Sequence, residues 1–173
     1  SPNIQEDAWL NYAKLSYEIG NPYKSTPEVL TDFLERYPKS AFKIEVETLL
    51  IDSYISSNNF KEALELLEKK SRAAHKEAYQ KVTFYRALEL YNSAKYLGAK
   101  ELLERSLSTS VISVFMARAT YWKAETDYQL SNFKEALEGF LDFKNTIQSQ
   151  QLEEFENIEY NLAYTYFKQK QYA

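Results

Sequence analysis

Cysteine is absent from the 173 residues, and there is a single histidine, His75. Without cysteine there is no disulfide frame, no thiol nucleophile and no thiolate zinc site. One histidine without a second soft ligand argues against a metal centre. Glycine and proline are scarce, 3 and 4 residues. Turn residues at that frequency leave little room for the many short connections of a β-protein, so an all-helical chain is expected. No apolar run approaches the ~18 residues of a membrane span. No excess of one charge sign exists either, since 21 basic residues face 25 acidic ones for a net charge of -4. With a pI near 5.2, the chain lacks the basic footprint of a nucleic-acid binder. The sequence is nevertheless 45% hydrophobic, which argues against disorder. It carries 15 Tyr, 10 Phe and 2 Trp, an aromatic content of 16%.

A repeat runs through the chain. Ser57-Asn58-Asn59-Phe60-Lys61-Glu62-Ala63-Leu64-Glu65 is nearly duplicated by Leu130-Ser131-Asn132-Phe133-Lys134-Glu135-Ala136-Leu137-Glu138, with Ala94-Lys95-Tyr96-Leu97-Gly98-Ala99 between them. The turn aromatics Phe60, Tyr96, Phe133 and Tyr172 are 36, 37 and 39 residues apart. A small or aliphatic column, Ala13, Ile51, Ala87, Ala124 and Ala163, precedes each turn. Two helical stretches per unit at such a period mark a helical solenoid, in which a lone hairpin cannot bury its apolar face and neighbours must stack. The pattern predicts first helices near 6–19, 41–57, 74–93, 112–130 and 152–170, and second helices near 27–37, 60–71, 96–107 and 133–147. Asn59 with Glu62 and Asn132 with Glu135 have capping-box spacing. Gly20-Asn21-Pro22 ends the first helix, and Thr26 before Pro27 starts the next. Gly139, inside a helix, reads as a point of close packing.

These columns resemble the tetratricopeptide repeat (TPR), a helix–turn–helix unit of about 34 residues. Tyr160-Asn161-Leu162-Ala163-Tyr164-Thr165-Tyr166-Phe167-Lys168-Gln169-Lys170-Gln171-Tyr172 is the best single match. The resemblance implies an all-α, right-handed α-solenoid of about nine helices. It would run through 1–173 as one array, with units near 6–39, 40–72, 73–109, 110–150 and an incomplete 151–173. The junction Phe33-Leu34-Glu35-Arg36-Tyr37-Pro38-Lys39-Ser40 resembles repeats of bacterial cell-envelope TPR proteins, which implies an envelope-associated or periplasmic setting. The chain opens at Ser1-Pro2-Asn3 and stops inside a repeat motif, so it reads as a piece of a longer array. Ile158, Leu162, Ala163 and Tyr166 are then expected to lack their normal cover, which offers a route to end-to-end self-association.

No site chemistry emerges from the spacing. His75 reads as a solvated helix-start residue. Glu153, Glu154, Glu156 and Glu159 read as acids at the start of the fifth first-helix, where they suit the macrodipole. Glu65, Glu68, Lys69 and Lys70 read as a solvated helix face. No catalytic, cofactor-binding or metal-ligating residue is assigned, and no cofactor is expected. The chain reads as a non-enzyme. Charges do intrude into apolar columns at Arg86, Lys123 and Asp127. A partly buried ion pair from Asp127 to Lys123 or Arg86 is expected there.

The remaining feature is a stripe of aromatics three before, one after and four after the small column, offsets that share one helix face. It comprises Leu10, Lys14, Tyr17; Thr48, Asp52, Ile55; Phe84, Leu88, Tyr91; Tyr121, Glu125, Tyr128; and Tyr160, Tyr164, Phe167. In the TPR family this face lines a concave groove that receives peptides or helices. The resemblance therefore implies a protein-interaction scaffold binding a protein or peptide partner. Its groove residues would be Phe84, Tyr91, Tyr121, Tyr128, Tyr160, Tyr164 and Phe167, with Asp52 and Glu125 adding negative charge. Two other readings stay open: a structural spacer whose groove is filled by its own side chains, and an accessory module of an enzyme whose catalytic part lies elsewhere. The family's carboxylate-clamp subclass, which grips acidic C-termini with Lys, Arg and Asn, is unsupported by a face this aromatic and acidic.

Overall fold

The structure, a computed structural model, describes residues 2–70, 72–109 and 111–172, excepting the side chains of residues 2, 3, 70, 171 and 172. Among the described residues there are nine α-helices and no strand. They are α1 (Pro2–Ile19), α2 (Thr26–Arg36), α3 (Lys43–Ser56), α4 (Phe60–Lys70), α5 (Lys76–Asn92), α6 (Tyr96–Thr109), α7 (Ser113–Gln129), α8 (Phe133–Asn145) and α9 (Ile158–Tyr172). Two short 3-10 helices, Ile147–Gln151 and Glu153–Asn157, lie between α8 and α9. The chain packs as two compact units, 1–75 and 76–173.

The hairpin turns repeat in atomic detail. Asn58, Ala94 and Ser131 all have positive φ, at 57°, 55° and 63°. The amide after each donates five residues back at 2.8 Å: Asn59 N to Tyr54 O, Lys95 N to Leu90 O, Asn132 N to Asp127 O. Each positive-φ residue also donates three residues back, to Ile55, Tyr91 and Tyr128. This is the Schellman ending, which satisfies the last carbonyls of a helix at the cost of one left-handed residue. Left-handed geometry costs a residue with a Cβ about 1–2 kcal/mol, least for Asn. Ala94→Gly is therefore expected to stabilise the chain by roughly 0.5–1 kcal/mol, and Asn58→Gly by less. A urea midpoint that stays level or falls for Ala94→Gly would show the turn to be unstrained.

In the first unit, Leu10 and Ala13 of α1, Val29, Leu30, Phe33 and Leu34 of α2, and Val46 and Leu50 of α3 form one buried cluster. The extra residues between α1 and α2 are held by Asn21, whose Oδ1 accepts from the amides of Tyr23 and Lys24. Gly20 turns the chain there at φ 79°. The capping box of this unit sits at Ser25 and Glu28. His75 is not solvated as expected. It is buried, with Nε2 3.9 Å from Oε2 of the equally buried Glu47. Nε2 of His75 and Oε1 of Glu47 have no hydrogen-bond partner. Packing against α3 takes this imidazole out of water, which a lone polar residue beside Ala73 and Ala74 does not reveal.

The second unit is organised around α7. The small column keeps its role at Ala87 and Ala124, both buried. Opposite Ala124 stands Gly139 of α8, where a Cβ would lie 2.9 Å from that of Ala124. Glycine is what lets these two helices approach so closely, as its place in the sequence predicts. Buried Gln80 of α5 accepts from the amide of Ile112 at 2.7 Å and from that of Val111 at 3.3 Å. It thereby satisfies the start of α7, whose N-cap Ile112 has no side-chain cap.

Four expectations fail here. The fifth first-helix does not begin at 152, because residues 147–157 fold as the two 3-10 turns that bring Leu152 and Phe155 onto the core of α7, α8 and α9. Glu154 is thus no macrodipole acid: it is buried and accepts from Arg118 Nε at 2.7 Å and Trp122 Nε1 at 3.1 Å. Ile158 and Leu162 are covered by that same core, whereas Ala163 and Tyr166 are exposed. The capping box at Asn132 does not form either, since its amide donates to Asp127 instead. The side chains of Tyr172 and Lys70, expected at the last turn and on a charged face, lie outside the described residues.

The charge expected in the apolar column is fully buried. Asp127 is 0% exposed and accepts from Lys123 Nζ at 2.9 Å. Its second cation is Lys100 of α6, at 2.6 Å, and not Arg86, which pairs with Glu89 on its own helix. Burial pushes the carboxyl up. Hydrogen bonds from Lys100, Lys123 and Asn132 outweigh that and hold its pKa below the usual 3.8.

Candidate interaction cleft

The sequence spacing 121, 125, 128 puts Tyr121, Glu125 and Tyr128 on one face of α7. Across from them α9 presents Tyr160, Asn161, Tyr164 and Thr165, and Phe140 of α8 closes the floor. Together with Asn157 they enclose a cleft of about 340 Å3 within the second unit. Its floor is rigid. Tyr121 meets Phe140 and Phe143 with ring centroids 5.6 and 5.1 Å apart, and all three rings are buried. Its α9 wall is open: Tyr160, Tyr164 and Phe167 are 71%, 42% and 56% exposed. Tyr160 and Tyr164 lie parallel, 5.9 Å apart, and Phe167 continues the stack at 6.4 Å. Tyr128 bridges the walls, 5.8 Å from Tyr164.

Among the described residues Glu125 is the one carboxylate lining the cleft. It accepts hydrogen bonds from Asn161 Nδ2, from the Tyr121 hydroxyl and, at 3.4 Å, from the Tyr91 hydroxyl. Burial raises its pKa above the usual 4.5 even though these donors oppose the shift. The phenols move the same way. Burial, with Glu125 nearby, pushes Tyr91 up to about 12. Burial followed by the Tyr164 neighbour pushes Tyr128 up to about 12. These hydroxyls are neutral donors at physiological pH, so the cleft offers ring faces, hydrogen bonds and one acid. No nucleophile–base pair is assembled in it, and among the described residues no group of three or more histidines or acids could hold a metal ion.

The stripe read from the sequence is divided by the structure. Tyr121, Glu125, Tyr128, Tyr160 and Tyr164 line the cleft, Phe167 extends it, and Tyr91 reaches it through Glu125. Phe84 does not belong to it. That ring is 0% exposed, packed 5.4 Å from Phe115 and under the Arg118 guanidinium. Asp52 is exposed on α3 of the first unit. Sequence reasoning missed Asn161, whose column holds Asn11, Leu49, Tyr85 and Trp122 in the preceding repeats. A polar residue after two aromatics in that column was the available signal.

Among the described residues no helix is long and apolar enough to cross a membrane. No protein-family model and no curated protein matches the chain. Among solved structures it is similar to a kinesin light chain of Podosopora anserina with nearly identical TPR-like repeats. The identity is 16%, the TM-score is 0.48, and the match covers 96% of this chain and 88% of that one. A single-substitution variant of that protein gives 18% identity and the same TM-score, covering 96% of this chain and 87% of that one. The repeating hairpins are visible in this chain's own Schellman turns, 36 and 37 residues apart. It is in such TPR-like repeat proteins that similar structures are found.

Proposed function

We propose that the chain is a non-catalytic scaffold that captures an extended peptide or a partner helix in the α7–α9 cleft. The observation carrying this reading is the contrast between the two walls. The floor rings are buried and fixed, while Tyr160, Tyr164 and Phe167 keep large apolar faces in water beside them. Tyrosine offers wide contact area with few rotors to freeze and a polar tip that tolerates solvent, so such rings suit recognition. Preformed helices lower the ordering cost of capture. An envelope setting is the context suggested by the Tyr37-Pro38 junction.

The spacer reading draws on one observation too, the complete burial of Phe84. Exposure of the α9 wall weighs against extending it to the whole stripe. A peptide selected against the full chain from a displayed random library separates the two. Tyr128→Ala and Tyr164→Ala are each expected to weaken that peptide by about 1–3 kcal/mol in calorimetry, with helicity retained. Loss of helical signal in both variants would return these rings to the core and support the spacer.

A further inference from the structure

Among the described residues Glu125 has no ion-pair partner. Arg86, Lys100, Arg105, Arg118, Lys123 and Lys144 pair instead with Glu89, Asp127, Glu101, Glu154 and Glu159. The donors on Glu125 are all neutral, two phenols and an amide. A carboxylate has about four lone-pair sites, so beside these three donors Glu125 keeps room for one more, and a charged donor makes the stronger bond there. This one faces a cleft whose opposite wall is aromatic. That wall already attracts positive charge, since Lys168 Nζ lies 5.7 Å from the centre of the Tyr164 ring. A partly buried acid beside open tyrosine faces is complementary to a cation that is planar and weakly hydrated.

We infer that the cleft takes the guanidinium of an arginine in a partner peptide, with Glu125 as its counter-ion and the Tyr160–Tyr164 wall as the surface on which its plane lies. The inference rests on the groove reading above and names its occupant. Arginine is favoured over lysine because a delocalised guanidinium loses less hydration on entering a partly apolar cleft and can stack as well as pair. An acidic segment is repelled by Glu125 and finds no cation in the lining.

Four acetylated, amidated nonapeptides test this, identical but for a central arginine, lysine, citrulline or glutamate, each flanked by leucines. They are titrated into the full chain by calorimetry, with 15N shifts of the Asn161 side-chain amide marking the cleft. The arginine peptide is expected to bind at least tenfold tighter than the citrulline peptide, which has the same shape without the charge. Lysine should fall between them, and glutamate should be the weakest. Glu125→Gln keeps one acceptor oxygen for Asn161 and turns the other position into an NH2 that can donate to a tyrosine hydroxyl, and it should reduce the arginine-over-citrulline ratio to within about twofold. Lys168→Gln removes the competing cation from Tyr164 and should tighten the arginine peptide about twofold to fivefold. Equal binding of arginine and citrulline peptides at Asn161 overturns the guanidinium assignment but leaves the groove standing. An arginine preference that survives Glu125→Gln overturns the counter-ion. If none of the four peptides shifts Asn161 at millimolar concentration, the groove reading falls and the inference with it.

Discussion

Replacing Lys100 and Lys123 together by alanine is expected to destabilise the second unit by about 3–5 kcal/mol, the range for a buried charge left without its partner. Asp127 is 0% exposed and accepts from both lysines, at 2.6 and 2.9 Å, so removing the two together leaves its charge without a cation. Either single replacement leaves one cation in place and should cost less than half of the double change. Asp127→Ala is expected to be milder, about 2 kcal/mol. The lysine side chains are 26% and 27% exposed and can swing their ammonium groups into water on their long stems. The sign with pH follows from the depressed carboxyl pKa. The stability it contributes is fully present above 3.8 and is lost as pH falls below that through the folded value. Acid unfolding of the native chain should therefore steepen below pH 3.8, and Asp127→Asn should remove that component. Urea titrations at pH 7 and pH 3 measure both effects. A double lysine variant as stable as the native chain would mean that Asp127 reaches water after all.

Phe140→Ala is expected to cost about 3–5 kcal/mol, the usual range for removing a buried phenyl ring. The ring is buried against Tyr121 and belongs to the cluster shared by α7, α8 and α9. Its neighbours cannot close the hole, because Gly139 already brings α8 to its limit against Ala124. Phe140→Leu, which keeps most of the volume, should cost about 1 kcal/mol. The same ring is the cleft floor, so Phe140→Ala should also loosen Tyr121 and blunt the peptide capture we propose beyond its effect on stability. A cost under about 1 kcal/mol in guanidinium unfolding would remove Phe140 as the anchor of the floor.

Much of this was readable from residue order. The near-duplicate segments at 57–65 and 130–138 located the turns, and the second helices fell within two residues of expectation at every start. Gly139 read correctly as a close approach because a helical glycine has few other uses. The lining of the cleft was legible in part. The offsets −3, +1 and +4 found Tyr121, Glu125, Tyr128, Tyr160 and Tyr164, but the same rule also picked Phe84, which is core. Periodicity reports which face a residue is on, not how much protein lies over that face.

The amino-acid sequence by itself determined the helices, their breaks and the 36- to 37-residue rhythm, because capping, propensity and amphipathic period act over a few residues along the chain. Only the tertiary structure decided the fate of the polar groups. Lys100 reaches Asp127 across 27 residues, Arg118 reaches Glu154 across 36, and His75 is buried beside Glu47. None of these has a sequence signature, since each depends on which side chains packing brings within a few ångströms. The cost of a buried charge is set there, by the partner it finds and the water it loses. Glu125 is left with neutral donors alone.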